Sequence, residues 1–311
     1  MKVAVIGVGH WGRKHVEEYL RIGAEVVAAD PSISALKACM DRFEVTGVED
    51  YKQILEDDSI KAVSICTPYK THYRIAKEAL LKGKHVLVEK PMTQSSREAD
   101  DLLDIARSKN LSLCVGHIFR FNNAVEKAKD LIASGIFGKI YNINLTWTNY
   151  EPIWPDRDIV FDLGDHPLDI VMYITGKTPV FVFCNGDGFR QTNEEVAVIN
   201  YHLNDIFINV DLSWINPIKR REMLIIGSDK SARIDCLDQK VTIIENATRS
   251  ETQIGVFPNN TLYDELKHFL DAVKDGRSSD KVSGQVGREI IRLLELARYS
   301  MLTKKEVRAS S

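Results

Sequence analysis

The feature that most constrains this chain stands at its start. Lys2-Val3-Ala4-Val5-Ile6 is a β-branched apolar run of strand length, and it leads directly into Gly7-Val8-Gly9-His10-Trp11-Gly12. From Trp11 the apolar residues fall at helical spacing through Val16, Tyr19 and Leu20 to Gly23. Glu25–Ala29 then reads as a second strand, ending on Asp30. Strand, G-x-G-x-x-G, helix, strand and acid, in that order, form the dinucleotide-binding fingerprint; a lone glycine turn would say far less.

Each residue of the fingerprint has a physical task. Gly7 permits the tight turn off the strand, Gly9 lets the backbone approach a pyrophosphate, and Gly12 lets helix and strand pack closely. The N–H groups of the helix start, beside His10 and Trp11, are oriented to bind phosphate oxygens. Asp30 is placed to accept hydrogen bonds from ribose hydroxyls. Its carboxylate would repel a 2′-phosphate, so NAD is expected rather than NADP. Asp30-Pro31-Ser32 also reads as a helix N-cap for the segment from Ile33, and the two roles are compatible.

The 311 residues suggest about two domains. A formal charge of −3 offers no basic field for nucleic acid or for a membrane surface. No apolar stretch approaches the roughly 18 residues of a membrane span. The chain opens on a strand and not on a leader, and its five cysteines form no C-x-x-C pair. A cytoplasmic protein with reduced cysteines is expected.

Strands and helices alternate up to residue 120. Ala62–Cys66 reads as a buried strand ending at Thr67-Pro68, His85–Val88 as one ending at Glu89-Lys90-Pro91, and Ser112–Gly116 as a third. Such alternation specifies a parallel sheet with helices on both faces and ligands at the carboxyl ends of its strands. From Tyr141 strand-like runs dominate: 140–147, 180–184, 196–201, 207–212, 223–226, 232–235 and 240–245, with Gly227-Ser228-Asp229-Lys230 as a hairpin turn. The expected fold is therefore α/β: a Rossmann doubly wound parallel sheet, followed by an α+β domain with a large, mostly antiparallel sheet. The domains are read as residues 1–119, binding NAD, and 120–311, binding substrate and mediating oligomerisation.

Two places carry chemistry beyond the fingerprint. Lys90 follows buried positions and precedes a proline, on the same rim as the glycine loop. There a lysine either stabilises negative charge developing on a substrate oxygen or is simply solvated. In Asp162-Leu163-Gly164-Asp165-His166-Pro167-Leu168-Asp169, residues 162, 166 and 169 share one helical face. Pro167 must lie in the first turn, so the helix begins near Gly164 and Asp162 sits just outside it. A histidine near a helix start is disfavoured as imidazolium and suits a general base. Asp162 or Asp165 as a simple N-cap is the alternative; a metal site lacks a supporting His/Cys cluster.

Gly7–Gly12 with His15, Thr67-Pro68 with His72, Glu89-Lys90-Pro91, and Gly116-His117 with Arg120-Phe121-Asn122 together resemble the glucose–fructose oxidoreductase, inositol dehydrogenase and MocA family. The resemblance implies that Lys90 is the catalytic lysine. It implies that Thr67, Pro68, His72 and Glu89 line the nicotinamide side, and that Lys90, Arg120, Asp162 and His166 surround a sugar, with Asp169 as the acid that follows in the same motif. From the residues alone, His72 and His117 read as packed or capping histidines. The family's Asn-Pro after Arg-Phe is here Asn122-Asn123. Trp154-Pro155-Asp156-Arg157-Asp158 resembles the UDP-N-acetylglucosamine 3-dehydrogenase branch, with Arg157 set to pair with a phosphate and Trp154 to stack on a ring.

These readings predict an NAD-dependent oxidoreductase acting on a secondary hydroxyl, with His166 taking the proton and Lys90 stabilising the oxygen. The preferred substrate is a UDP-N-acetylhexosamine oxidised at C3; rivals are myo-inositol or a free aldose. A non-catalytic NAD-dependent sensor is the alternative of another class. The partners expected are a small-molecule sugar or nucleotide sugar and further copies of the chain, as a homodimer or homotetramer through the second-domain sheet. Neither nucleic acid nor membrane is expected.

Overall fold

The computed structural model describes residues 1–154, 157–276 and 279–309. Pro155 and Asp156, part of the expected substrate loop, lie outside the described residues.

Two compact units emerge. The first joins Met1–Ile118 to Asn260–Ile291; the second joins Phe119–Asn259 to the chain from Arg292 onward. This differs from a single cut at residue 119 in that the segment 260–291 groups with the first unit.

The first unit runs β1 (Lys2–Ile6), α1 (His10–Arg21), β2 (Glu25–Ala29), α2 (Ile33–Phe43), β3 (Thr46–Val48), α3 (Lys52–Glu56), β4 (Ala62–Ile65), α4 (His72–Leu81), β5 (His85–Val88), α5 (Ser96–Ser108) and β6 (Leu113–Val115). The sheet order is β3-β2-β1-β4-β5-β6. All pairs are parallel, Val3 lying opposite Val26 on one side and Ala62 on the other. This is the doubly wound order, whose strand sequence reverses between β1 and β4 and opens a crevice at their carboxyl ends. The central strands are buried on both faces, which explains their unbroken apolar runs. β3 escaped the sequence reading because Thr46-Gly47-Val48 is too short and too mixed to show a period.

The second unit adds α6 (Asn123–Ala133), β7 (Ile140–Tyr150), α7 (Ile159–Leu163), α8 (Asp165–Thr175), β8 (Phe181–Asp187), β9 (Val196–His202), β10 (Phe207–Ser213), β11 (Ile215–Gly227), β12 (Lys230–Asp235), β13 (Lys240–Glu245) and β14 (Glu251–Ile254). Two helices follow, α9 (Thr261–Lys274) in the first unit and α10 (Gly284–Thr303), which is divided between the two. A short β15 (Val307–Arg308) ends the described chain. The second sheet has the order β14-β13-β12-β11-β7-β10-β9-β8-β15 and is antiparallel except where β7 and β10 run parallel. Alternation sends Ile143, Leu145 and Trp147 of β7, and Ile208, Val210 and Leu212 of β10, to the buried face. That face meets α6, with Ala124, Val125 and Ala128 buried, and α7. β14 has no apolar alternation because it is an edge strand with three of its four residues exposed.

In the first unit α9 packs on α1, and the backbone at Ser283 bridges Cys114 on the free edge of β6. The amphipathic pattern of α9 announces a partner face without saying which one it is.

Candidate functional site

The glycine loop is built as the fingerprint requires. Gly7 has φ +87°, and a Cβ there would also press on Cys66 and Thr67 at the end of β4. A Cβ on Gly12 would overlap the carbonyl oxygen of Gly7, so helix and loop touch only because position 12 is glycine. Gly9 is different: nothing in the protein lies within 4 Å of the place its Cβ would occupy. The open space leaves room for a group from outside the chain, as close approach of a pyrophosphate requires. Gly9 is the N-cap of α1, with no side-chain cap and no acid in the first turn, leaving the helix N–H groups for an anion. His10 and Trp11 are exposed beside this start, with the Lys14 ammonium 4.2 Å from the Trp11 ring.

Asp30 holds the loop from the next strand. Its Oδ2 accepts the Val8 N–H at 2.8 Å and its Oδ1 the Ser32 N–H at 2.9 Å. Each oxygen keeps a further lone pair for a ribose hydroxyl. The N-cap of α2 is Ser32, which accepts from Ala35 N–H, so the capping task expected at Asp30-Pro31-Ser32 falls to the serine. These residues fit a dinucleotide in all three respects: a cradle without a side chain, an uncapped helix start and a carboxylate at the second strand.

At the ends of β4 and β5 the expected residues gather around two histidines. His72 is buried, its Nδ1 2.9 Å from the Pro91 carbonyl and its Nε2 2.8 Å from the Thr67 carbonyl. It ties the Thr67-Pro68 turn to the Lys90-Pro91 turn, whose peptide bond is cis. Burial pulls its pKa down, against the two carbonyls and Glu89. Thr67 is half-buried and Pro68 exposed. Glu89 accepts from the Lys90 backbone N–H at 3.2 Å, and its other oxygen lies 3.0 Å from Nε2 of the fully buried His15. Burial raises the Glu89 carboxyl pKa, but His15, Lys90 and His72 outweigh it and hold the group below its ordinary value. A Cβ on Gly116 would stand 3.1 Å from the Glu89 carboxyl, so this glycine makes room for it. Lys90 itself is half-buried on the rim.

The second unit brings together the other expected residues. Asp158 caps the one-turn α7 by accepting from Phe161 N–H at 3.0 Å. Gly164 then caps α8, so His166 is its second residue and Pro167 stands in the first turn as expected. Asp162 lies just outside α8, as expected, in the one-turn α7. Both Asp162 and His166 are half-buried, and the His166 ring meets Phe119 edge-on at 5.0 Å. Asp169 is buried, and its Oδ1 accepts from Arg120 Nε at 2.6 Å. Arg120, also buried, lies 4.9 Å from the Tyr173 ring. Trp154 and Arg157, to which the sequence assigns separate ligand contacts, stack on each other at 4.4 Å, and the Arg157 carbonyl is held by Asn193. Asn122 caps α6, and Asn123, where the resembled family has proline, donates its N–H to Gln239 and Asn259.

Arg221 of β11 was missed by the sequence reading. The charge of Asp162 acts on its guanidinium, which lies 5.8 Å from the Trp147 ring. Alternation with Met223 and Ile225 was the available signal, obscured by the basic run Lys219-Arg220-Arg221.

Among the described residues no group of three or more His, Cys, Asp or Glu side chains is placed to hold a metal ion, and no helix is long and apolar enough to cross a membrane.

Comparison with known proteins agrees with this construction. The model of an oxidoreductase family with an NAD-binding Rossmann fold matches residues 1–117, and that of the GFO/IDH/MocA C-terminal domain matches residues 125–233. The uncharacterised oxidoreductase YdgJ of Escherichia coli is 30% identical over 340 residues, covering 98% of this chain and 96% of that protein. UDP-N-acetylglucosamine 3-dehydrogenase of Acidithiobacillus ferrooxidans is 27% identical over 296 residues, covering 92% and 93%. Its solved structure superposes with a TM-score of 0.88, covering 97% of this chain and 98% of that one. Levoglucosan dehydrogenase in complex with NADH and levoglucosan, 19% identical with a TM-score of 0.89 and 100% of both chains covered, shares the fold. The chain belongs to the GFO/IDH/MocA family of oxidoreductases, and its first unit is an NAD-binding Rossmann domain.

Proposed function

We propose that this protein is an NAD-dependent sugar dehydrogenase that oxidises a secondary hydroxyl, and that its substrate is a UDP-N-acetylhexosamine oxidised at C3. In this reading residues 1–119 hold the cofactor and residues 120–311 the substrate. When bound, nicotinamide supplies the acceptor for the hydride leaving the carbinol carbon. The helix start at Gly9–Gly12 neutralises the pyrophosphate, and Asp30 accepts from the ribose hydroxyls and disfavours a 2′-phosphate. Thr67, Pro68 and His72 shape the nicotinamide side, His72 by holding the two turns. Glu89 fixes the backbone at Lys90, whose ammonium donates to the alkoxide as its charge develops. His166 takes the hydroxyl proton, and Asp162 accepts from a neighbouring substrate hydroxyl. Arg120 is held by Asp169 beneath the sugar, Trp154 stacks on a ring and Arg157 pairs with the diphosphate.

The observation that carries the nucleotide-sugar reading is the Trp154–Arg157 stack, in the loop that precedes Asp162 and His166, in a chain similar over 92% of its length to a UDP-N-acetylglucosamine 3-dehydrogenase. A second reading, myo-inositol oxidation, draws on a myo-inositol 2-dehydrogenase of Thermotoga maritima, 24% identical and covering 99% of this chain. NADH formation by the purified protein with UDP-N-acetylglucosamine, UDP-N-acetylgalactosamine, myo-inositol and glucose separates them. Turnover confined to the UDP-sugars is expected, and turnover confined to myo-inositol or glucose would overturn the nucleotide-sugar reading. No turnover on any panel member with NAD bound would favour a sensor. The outward face of the second sheet, with Val198 and Phe207 exposed, is taken as the surface for a homodimer or homotetramer.

A further inference from the structure

Arg221 stands opposite Trp147 of β7, on the side of β11 that carries the buried Met223 and Ile225. Its Nη1 donates to the carbonyls of Thr148 at 2.8 Å and Arg220 at 2.7 Å, and its Nη2 to Oδ1 of Asn149 at 3.0 Å. A guanidinium has five N–H donors. Three are engaged, and among the described residues the Nε–H and one Nη2–H are not. Nε and Nη2 share one edge of the planar fork, an edge that grips a carboxylate or phosphate through two parallel bonds.

The surroundings call for such a partner. No carboxylate of the described residues lies within 4.0 Å of this guanidinium. Burial pushes its pKa down to about 10, with Asp162 and Glu151 opposing from farther off, so it remains a cation at neutral pH. A partly buried cation held only by carbonyl and amide oxygens is costly until an anion reaches it. Its position is also specific. Trp147 lies beneath it, Phe119 meets Trp147 edge-on at 5.3 Å, and His166 meets Phe119 at 5.0 Å. One continuous row of rings runs from the guanidinium to the imidazole, with Asp162 within reach of its charge.

We propose that Arg221 binds an anionic oxygen group of the substrate, phosphate or carboxylate, beside Asp162 and His166. The proposal rests on the reading above in that those two residues face the substrate. Arg157 belongs to the loop before α7, so Arg221 gives the site a further cation from a different element.

Steady-state kinetics of the wild type, Arg221→Gln and Arg221→Lys test it on UDP-N-acetylglucosamine, on its uronic acid counterpart, on glucuronate and on neutral N-acetylglucosamine and myo-inositol. Arg221→Gln should raise KM for anionic substrates about tenfold or more, as loss of a charged hydrogen bond does, with kcat changed less than about threefold. Arg221→Lys, which keeps the charge and loses the fork, should recover part of that loss. KM for neutral sugars should not move. An equal rise for both UDP-sugars assigns the phosphate; a rise confined to the uronic acids assigns the carboxylate. An unchanged KM, or the same rise on neutral and anionic sugars, overturns the proposal, the latter marking Arg221 as structural. If the wild type turns over glucuronate but no UDP-sugar, the nucleotide-sugar reading falls, while a loss with Arg221→Gln still upholds the carboxylate. A wild type active only on neutral sugars overturns both.

Discussion

Nε2 of His15 lies 3.0 Å from Oε1 of Glu89, joining the helix that follows the glycine loop to the turn that carries Lys90. His15 is wholly buried, and the second Glu89 oxygen holds the Lys90 backbone. The helix after the glycine loop and the lysine turn are thus tied to one carboxylate.

That carboxylate is held below its ordinary pKa, so its contribution to stability is present above the ordinary carboxylate range and lost as pH falls through the depressed value. The melting temperature of wild type should exceed that of Glu89→Gln at neutral pH, and the gap should close as pH falls below about 4. A gap that stays constant down that limb would mean the pair contributes through packing alone.

The two glycines of the loop should respond oppositely. Gly12→Ala drives a methyl into the Gly7 carbonyl and should cost about 2–3 kcal/mol or more of stability, read in urea unfolding. Gly9→Ala meets nothing in the protein and should stay within about 0.5 kcal/mol of wild type, yet weaken NAD binding. Equal NAD affinity for Gly9→Ala and wild type would remove Gly9 from the phosphate site.

Much of this was written locally. Gly7, Gly12 and Asp30 act on neighbours in one strand–helix–strand unit, and Pro167 fixes the start of α8 by its missing N–H. What escaped depends on partners far along the chain. Asp169 shares a helical face with His166, but no period reveals that Arg120, 49 residues away, holds it. Trp154 and Arg157 each suggest a ligand until they are seen stacked together. β11 extends back through Pro217 and a basic run that reads as loop, and so conceals Arg221.

Asp30 should decide between the cofactors. NAD should bind more tightly than NADP in fluorescence titrations, and Asp30→Ala should weaken NAD about tenfold or more while narrowing the difference. Part of that loss is indirect, because the same carboxylate holds Val8. NADP binding as tight as NAD in the wild type would contradict the assignment.

Lys90→Ala should reduce turnover on the order of a hundredfold or more and leave NAD affinity within about threefold, as removal of a donor to a developing oxyanion does. Turnover near the wild-type level would make Lys90 an ordinary rim lysine.

His166→Asn should lower kcat strongly with little change in KM, because the lost interaction belongs to the transition state. The wild-type oxidation rate should fall at acid pH, where a protonated imidazole accepts nothing, and the variant should lose that limb. Retention of the acid limb in the variant would place the titrating group elsewhere.

The return of residues 260–291 to the first unit, with the chain from Arg292 onward in the second, interleaves the two units along the sequence. A fragment ending near residue 118 would leave the outer edge of β6 without the Ser283 bridge and α1 without α9. During synthesis, the nucleotide-binding unit cannot be completed until the strands of the second unit have been made. For anyone wishing to excise it, the minimal piece is two stretches of chain rejoined by a linker and not one contiguous stretch.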